Sequence, residues 1–263
     1  MPREEIPMHD RVMDLLISYS RQDWISGETI SAELGISRAA VGKHIASLRE
    51  EGNIIEAAPR RGYRLISQAD PWALDDVQKG LLTRSLGQNR WIWLKETDST
   101  NQVAAREALE GAPEGVVVVA RRQSEGRGSK GHSWINLPGS LHFSVIIRLN
   151  WPSDRLNELT LLTQEACAAA VVSAGGPVLE CRKPNDLFLN DRKVSGVLVE
   201  SMFYNEVMQW AVIGIGMNVN TPAESIPEEL RDTATSLYAE TGQALSVTGI
   251  MRNILEELEQ RIG

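Results

Sequence analysis

The apolar residues near the start of the chain recur at the spacing of amphipathic helices. Three segments show this spacing: residues 9–20, 26–34 and 38–51. In the third segment Val41, Ile45 and Leu48 are four and three positions apart, which places them on one face of an α-helix. We therefore predict three short helices that pack their apolar faces together.

A glycine turn separates the second and third predicted helices. Gly35 breaks the chain, and Ser37 stands where a hydroxyl can cap the helix that follows. Two short helices joined in this way are typical of a helix-turn-helix. Short apolar runs at residues 54–55 and 63–66 then flank a turn at residues 59–62, which predicts a two-stranded wing.

The predicted helix-turn-helix and wing carry a local excess of positive charge. Between Arg38 and Arg64 there are six Lys or Arg residues and three Glu, whereas the whole chain has a formal net charge of −8. Such a patch favours DNA binding, with the third helix in the major groove and the wing on phosphates or in the minor groove. An alternative is that the same unit serves dimerisation or protein binding. The candidate DNA-binding residues are Ser37, Arg38, Lys43, His44, Arg60 and Arg61.

The remainder of the chain mixes strand-like and helix-like segments. The predicted strands are residues 91–95, 116–120, 141–149, 187–189, 193–201 and 207–216. The predicted helices are residues 101–109, 155–174 and 248–262. The last three strands follow one another through short turns, which favours antiparallel hairpins over a doubly wound sheet. We predict a winged helix-turn-helix domain over residues 1–67, a linker at 68–80 and an α+β domain over 81–263.

Composition indicates the class of protein and the compartment in which it is expected. With 42% hydrophobic and 24% charged residues the chain is typical of a globular protein, and its acidity argues against coating nucleic acid by bulk electrostatics. No apolar run approaches the roughly twenty residues of a membrane span, and the N-terminus lacks the apolar core of a signal peptide. Cys167 and Cys181 are too few for a disulfide framework, and no spacing indicates a metal site. We expect a cytoplasmic protein with reduced thiols and no membrane partner.

A glycine-rich segment, residues 123–134, carries the strongest candidate for chemistry. It holds three glycines and the cations Arg127 and Lys130 between two predicted strands. Such a loop can bring backbone N–H groups and positive charge to a phosphate or carboxylate. Lys193 lies on a separate predicted strand, just past an Asn190-Asp191 turn. Two separate basic elements suit an enzyme that must hold two anions together.

The same glycine-rich segment formally matches a dinucleotide-binding fingerprint. Gly126, Gly128 and Gly131 have the required spacing, but the fingerprint needs a helix directly after it. Here residues 134–139 have no helical pattern, and another strand follows. A loop that closes over a bound anion is therefore the better interpretation.

Three further candidates have purely structural alternatives. Ser99 or Thr100 precedes a predicted helix and can be its N-cap. The glycines around Gly214 end a strand, where they can mark a bulge or a close packing contact. Asp186 starts a hairpin and can be a turn residue. These alternatives remain open at the level of the sequence.

Taken in order, six groups of residues resemble the family of bifunctional biotin protein ligases and biotin operon repressors of the BirA type. The groups are residues 37–45 with 61–65; Asp98-Ser99-Thr100-Asn101; Gln123 with Gly126-Arg127-Gly128 and Trp134; Pro184-Asn185-Asp186 with Asp191-Arg192-Lys193, Gly196, Leu198 and Glu200; Gly214-Ile215-Gly216 with Asn218 and Asn220; and Ala234-Thr235-Ser236-Leu237. Each is weak alone, but six in register are specific and cover nearly the whole chain. The resemblance implies a class II synthetase-like mixed sheet flanked by helices.

The resemblance also implies a reaction in two steps. The biotin carboxylate attacks the α-phosphate of ATP and gives biotinyl-5′-adenylate and pyrophosphate. A lysine of the biotin carboxyl carrier protein of acetyl-CoA carboxylase then attacks this mixed anhydride and releases AMP. Positive charge must offset the repulsion between the two anions of the first step. Mg²⁺ is expected to accompany ATP, bound mainly through the phosphates, and the loop at 123–140 is expected to exclude water.

By the same resemblance, the motif residues have expected roles. The expected catalytic residues are Lys193 and Arg127. The expected biotin-binding residues are Ser99, Thr100, Asn101, Gln123, Gly126, Arg127, Lys193, Gly196, Leu198 and Gly214. The expected nucleotide-binding residues are Arg127, Ser129, Lys130, Trp134, Asp186, Lys193 and Asn218. The adenylate is expected to act as a corepressor that promotes a homodimer on palindromic operator DNA.

The sequence departs from the family pattern at three points. Ser129 stands where the family loop usually carries an arginine, and Lys183 replaces the tryptophan of a Lys-Trp-Pro-Asn-Asp motif. The sequence ends at Gly263, whereas the family commonly continues into a small β-rich domain. These departures favour, as an alternative, a biotin- or biotinyl-adenylate-sensing transcriptional regulator with weak or no ligase activity. A lipoate-type ligase, which typically lacks the winged helix, is a third possibility.

Overall fold

The computed structural model describes residues 7–20, 24–50, 53–67, 77–78 and 80–263. The chain divides into two compact units, Met1–Trp72 and Ala73–Gly263. The predicted linker at residues 68–80 lies almost entirely outside the described residues, as does the predicted last residue of the third helix, Glu51.

The described residues of the first unit form three helices and a two-stranded sheet. They are α1 (Met8–Ser20), α2 (Gly27–Leu34), α3 (Arg38–Glu50), β1 (Ile54–Ala58) and β2 (Gly62–Ser67). The Ser26 hydroxyl caps α2 by accepting a hydrogen bond of 2.9 Å from Thr29 N–H. Gly35 ends α2 with a left-handed φ of 66°, a conformation that glycine adopts without steric cost. The predicted helix-turn-helix and wing are confirmed.

One apolar core holds the first unit together. The helices and the sheet bury Val12, Leu16, Ile30, Val41, Ile45, Leu48, Ile55 and Leu65. The three residues that predicted the amphipathic face of α3 are all in this cluster. The helical spacing of apolar residues in the sequence therefore corresponds to the helix faces that are buried in this core.

A seven-stranded mixed sheet forms the centre of the second unit. Its strands are β3 (Trp91–Thr97), β4 (Val117–Gln123), β5 (Ser140–Ile147), β6 (Glu180–Arg182), β7 (Asp186–Leu189), β8 (Arg192–Tyr204) and β9 (Val207–Asn218). The strand order is β3-β4-β5-β9-β8-β7-β6. Only the β3–β4 pair is parallel within this described sheet, and the pairs between β7, β8 and β9 are antiparallel, as predicted.

Within the described residues, four α-helices with defined bounds accompany this sheet. They are α4 (Thr100–Leu109), α5 (Leu156–Ser173), α6 (Leu237–Thr241) and α7 (Val247–Ile262). Helix α4 crosses from β3 to β4 and packs on β5 and β9, whereas α5 packs against α7 and the β6–β8 end of the sheet. None of the described helices is long and apolar enough to cross a membrane. The α+β architecture predicted for this part of the chain is confirmed.

Candidate functional site

A cavity of about 400 Å³ opens in the second unit beside the ends of β4, β8 and β9. Its walls come from distant parts of the sequence, because the sheet order brings β4, β7, β8 and β9 near one another. The expected site residues in the lining are Ser99, Thr100, Asn101, Gln123, Arg127, Ser129, Trp134, Asp186, Lys193, Gly196, Leu198 and Gly214. The fold therefore gathers most of the expected residues around one space.

Three expected residues are not part of this lining as described. The Gly126 carbonyl accepts a hydrogen bond of 2.8 Å from Trp134 N–H, so this glycine shapes the loop. Asn218 is buried at the end of β9, where its side chain donates to the Thr235 carbonyl at 3.0 Å. The side chain of Lys130 lies outside the described residues. Gly126 and Asn218 therefore do not line the cavity, and the expectation for Lys130 lies outside the described residues.

Hydrogen bonds fix one end of the cavity at the start of α4. The side-chain oxygen of Gln123 accepts from the Thr100 backbone N–H at 2.8 Å and from its hydroxyl at 3.1 Å. Ser99 occupies the N-cap position of α4 but its side chain makes no capping hydrogen bond. The Ser99 side chain therefore does not cap the helix. The hydroxyl is instead in the wall of the cavity.

Asn101 is locked between the first turn of α4 and β9. Its Oδ1 accepts from the Ser144 hydroxyl at 2.6 Å, and Ser144 also lies 2.8 Å from the Thr100 hydroxyl. A Cβ on Gly214 would overlap the Asn101 amide oxygen, so β9 can approach α4 only through a glycine here. The close-packing alternative for the glycines of β9 is correct at this position.

Two cations face the cavity, and each is paired with a carboxylate. Lys193 Nζ lies 2.7 Å from Asp186 Oδ1, and Arg127 Nη1 lies 3.3 Å from Glu200 Oε1. The start of β8 is held in place because Lys193 N–H donates to the Thr233 carbonyl at 2.8 Å. Asp186 is thus more than a turn residue, since it sets the position of Lys193.

The indole of Trp134 forms part of the floor. A Cβ on Gly216 would lie 2.5 Å from its ring, and one on Gly196 would lie 3.3 Å from it. Lys193 Nζ lies 5.6 Å from the centre of the ring, within range of a cation–π interaction. Glycines on both β8 and β9 therefore make room for one large aromatic ring.

Beneath Trp134 lies a buried histidine that the sequence did not single out. The rings of His142 and Trp134 meet edge to face at 6.5 Å between centroids. Neither ring nitrogen of His142 has a hydrogen-bond partner among the described residues. Burial lowers the pKa of His142 to about 4, because the charged imidazolium loses its hydration. The side chain is therefore neutral at pH 7.

Sequence reasoning also missed the polar face of β5. Ser140, His142 and Ser144 alternate with the buried residues Leu141 and Phe143. Side chains at alternate positions share one face of a strand, so these three polar residues point to the same side of the sheet. That alternation was the available signal. The contacts of Ser144 with Thr100 and Asn101 come from the fold.

The described residues show no dedicated metal site. No group of three or more His, Cys, Asp or Glu side chains among them is placed to hold a metal ion. Cys167 is buried and Cys181 is exposed, and both thiols are free.

In the first unit, the candidate DNA-binding residues differ in exposure. Arg38 and Lys43 are exposed on α3, as is Ser37 just before it. Arg60 and Arg61 are exposed at the wing, whereas His44 is half-buried. The guanidinium of Arg61 lies 4.8 Å from the centre of the Trp24 ring. Arg60 has a φ of 66° at the tip of the wing. The basic side chains of α3 and of the wing are thus accessible to an anionic partner.

Comparison with known proteins assigns a class to each unit. Residues 11–64 match the model of an HTH domain, and residues 93–218 match that of the biotin/lipoate A/B protein ligase family. A solved structure, the biotin protein ligase from Aquifex aeolicus in complex with biotin and ATP, is 32% identical with a TM-score of 0.55. This match covers 66% of this chain and 70% of that one. The fold and site therefore define a protein ligase of the biotin/lipoate class joined to a helix-turn-helix unit.

Matches along nearly the whole chain give the family. The bifunctional ligase/repressor BirA of Bacillus subtilis is 37% identical over 247 residues, which is 94% of this chain and 76% of the relative. The corresponding protein of Escherichia coli is 28% identical over 94% of this chain and 74% of its own length. This chain belongs to the family of bifunctional BirA ligase/repressors.

Proposed function

We propose that the protein joins biotin to a carrier protein through biotinyl-5′-adenylate and represses transcription in response to that adenylate. The observation that carries the ligase part is the meeting of Arg127 and Lys193 at one cavity, from two separate elements. Activation of a carboxylate by ATP brings two anions together, so the site must supply positive charge at the point of reaction.

In the first step the two cations bind different anionic groups. Lys193 reaches the biotin carboxylate and the α-phosphate and offsets the negative charge that builds up between them. Arg127, at the rim, holds the nucleotide phosphates. Both cations must exchange their carboxylate partners, Asp186 and Glu200, for the anions of the substrates. Phosphate groups suit this exchange because they offer several strong acceptor oxygens to a guanidinium.

The other end of the cavity suits the ureido ring of biotin. Thr100 and Gln123 are fixed by their mutual hydrogen bonds, and Ser99 adds a hydroxyl without a capping bond. A urea presents donors and an acceptor that such side chains can match. Gly196 and Gly214 line the cavity with backbone, against which a flat ring system can lie. In this proposal biotin lies with its carboxylate directed towards Lys193.

Mg²⁺ enters the proposal with ATP. Asp186 is the carboxylate near the expected phosphate end, and one carboxylate plus phosphate oxygens and water is a usual coordination for this ion. When bound, the ion neutralises part of the phosphate charge. Asp186 then has two functions, because it also holds Lys193 in the ligand-free site.

We further propose three partners and a setting. The acyl acceptor is the biotin carboxyl carrier protein of acetyl-CoA carboxylase, the second partner is operator DNA, and the third is a second copy of the chain. A palindromic operator matches a symmetric dimer, since each winged helix reads one half-site. The exposed cations of α3 and the wing support the DNA-binding role. The proposed use of ATP and DNA supports a cytoplasmic setting.

The test of the ligase proposal is pyrophosphate release from biotin and MgATP. Replacing Lys193 by Met keeps the length of the side chain and removes its charge, so we expect the rate to fall about 100- to 1,000-fold. The matched control is Lys95→Met, which removes an exposed lysine of β3 and leaves the rate unchanged. Equal rates in both variants would show that the charge of Lys193 does not contribute to the reaction.

A further inference from the structure

The carboxylate that faces Arg127 also has a second, very different partner. Glu200 Oε1 lies 3.3 Å from Arg127 Nη1, and Glu200 Oε2 accepts a hydrogen bond of 2.9 Å from Asn101 Nδ2. One oxygen of Glu200 therefore contacts Arg127 of the glycine-rich loop, and the other contacts the buried Asn101. The family motif includes Glu200, and the proposed chemistry treats it only as the partner that Arg127 leaves.

The interior partner of Glu200 is immobile. Asn101 is buried, accepts from Ser144 and is packed against the backbone of Gly214. Asn101 Nδ2 also lies 3.4 Å from the Leu198 carbonyl. Any movement of the Asn101 amide would leave these buried polar groups without hydrogen-bond partners, which costs free energy. Asn101 thus fixes the orientation of the Glu200 carboxylate.

The loop partner has the opposite character. The Arg127 side chain is 50% exposed, and glycines stand on both sides of it in the chain. An exposed ion pair of this kind is weak, so a phosphate or carboxylate that enters the cavity can take the guanidinium from Glu200. Glu200 is therefore held in place by Asn101, whereas its ion pair with Arg127 can be replaced by a substrate anion.

We propose that Glu200 is a positioning residue that holds Arg127 at the rim of the ligand-free cavity and yields it to the nucleotide phosphates. The inference rests on the proposed function, since it names the partner that Arg127 leaves when the anions bind. A chain of contacts from Ser144 through Asn101 to Glu200 links the biotin end of the cavity to this cation. Glu200 thereby competes with ATP for Arg127.

The first test needs no chemistry and uses the ligand-free protein. Glu200→Gln keeps an acceptor for Asn101 and removes the charge that attracts Arg127. We expect amide hydrogen exchange in residues 124–134 to become about two- to fivefold faster, the factor that an exposed ion pair can supply. Arg127→Gln should give the same increase, and the double variant no more than either. The matched control, Glu158→Gln, breaks the exposed Arg155–Glu158 pair at the start of α5 and should leave this loop unchanged.

The second test follows adenylate formation from biotin and MgATP. Loss of the competitor should lower the KM for ATP by about two- to fivefold in Glu200→Gln, with kcat unchanged. The same substitution in the Arg127→Gln background should leave the KM unchanged. A KM effect that persists in that background, additive exchange rates, or unchanged exchange in Glu200→Gln would each overturn the proposal. If the wild-type protein forms no adenylate, the proposed function fails, and the exchange measurements still decide the role of Glu200.

Discussion

Glycines of β8 and β9 define the space in which the reaction is proposed to occur. At Gly216 a side chain would meet the Trp134 ring, and at Gly214 it would meet the Asn101 amide. The two positions are separated by one residue and so point to the same face of the strand. A pattern that had several interpretations in the sequence thus has one physical cause, the close approach of two large side chains to the backbone.

The buried imidazole of His142 gives a prediction about acid stability. Its pKa is lowered to about 4 in the folded protein, whereas an unfolded chain has a histidine pKa of about 6.5. Between these values the unfolded chain binds a proton that the folded protein does not. The contribution of His142 to stability is therefore complete above pH 6.5 and is lost as the pH falls towards 4.

His142→Phe should remove this dependence. We expect the free energy of unfolding of the wild-type protein to lose about 3 kcal/mol more than the variant between pH 6.5 and 4. Urea titrations followed by tryptophan fluorescence at several pH values measure the difference. Substitution of the exposed His132 by Phe is the control and should keep the wild-type slope. Parallel curves for wild type and His142→Phe would show that the imidazole is protonated inside the fold.

The sequence predicted the cations of the site, but not what they contact without substrate. Arg127 stands out because it lies in a glycine-rich loop, and both cations fall in motifs that resemble the family. Their pairing with Asp186 and Glu200 depends on how β7 and β8 pair and on the conformation of the loop after β4. Such contacts are tertiary, so no local pattern could have revealed them.

The wing between β1 and β2 gives a prediction about DNA. Arg60 adopts a φ of 66° at its tip, a conformation that glycine takes more easily. Arg60→Gly should therefore leave the hairpin intact while removing one charge. If Arg60 contacts a phosphate, the slope of log K against log salt should decrease by about 0.9 in magnitude.

Fluorescence anisotropy with a labelled duplex at several salt concentrations measures this slope. Arg84→Gln, which removes an exposed arginine from the second unit, is the matched control and should keep the wild-type slope. An unchanged slope in Arg60→Gly would exclude a phosphate contact at the tip of the wing. The dimerisation or protein-binding alternative for this unit would then gain support.

Most helices and strands were predictable because their residues repeat with the period of their own structure. The strand β6 (Glu180–Arg182) was missed because three residues are too few to show a period of two. The strand β8 runs to Tyr204, beyond the predicted end at 201, because its last residues pair with the start of β9. The order of strands was not predictable either, since β5 pairs with β9 across some seventy residues of chain.

The whole chain combines two activities that the family joins, and its two units explain them separately. The first unit supplies exposed cations on a helix and a wing, and the second supplies a cavity with two cations. In the proposed account the adenylate connects them, because it is both the intermediate of ligation and the corepressor. By reciprocity, DNA binding that is favoured by the adenylate must in turn favour retention of the adenylate.

The most direct measurement is the intact mass of a biotin carboxyl carrier domain after incubation with this protein, biotin and MgATP. We predict that the carrier gains the mass of one biotinyl group, and that Lys193→Ala abolishes the gain while Lys95→Ala preserves it. An unmodified carrier together with biotin bound tightly to the wild-type protein would contradict the ligase function. That result would favour the biotin-sensing regulator instead.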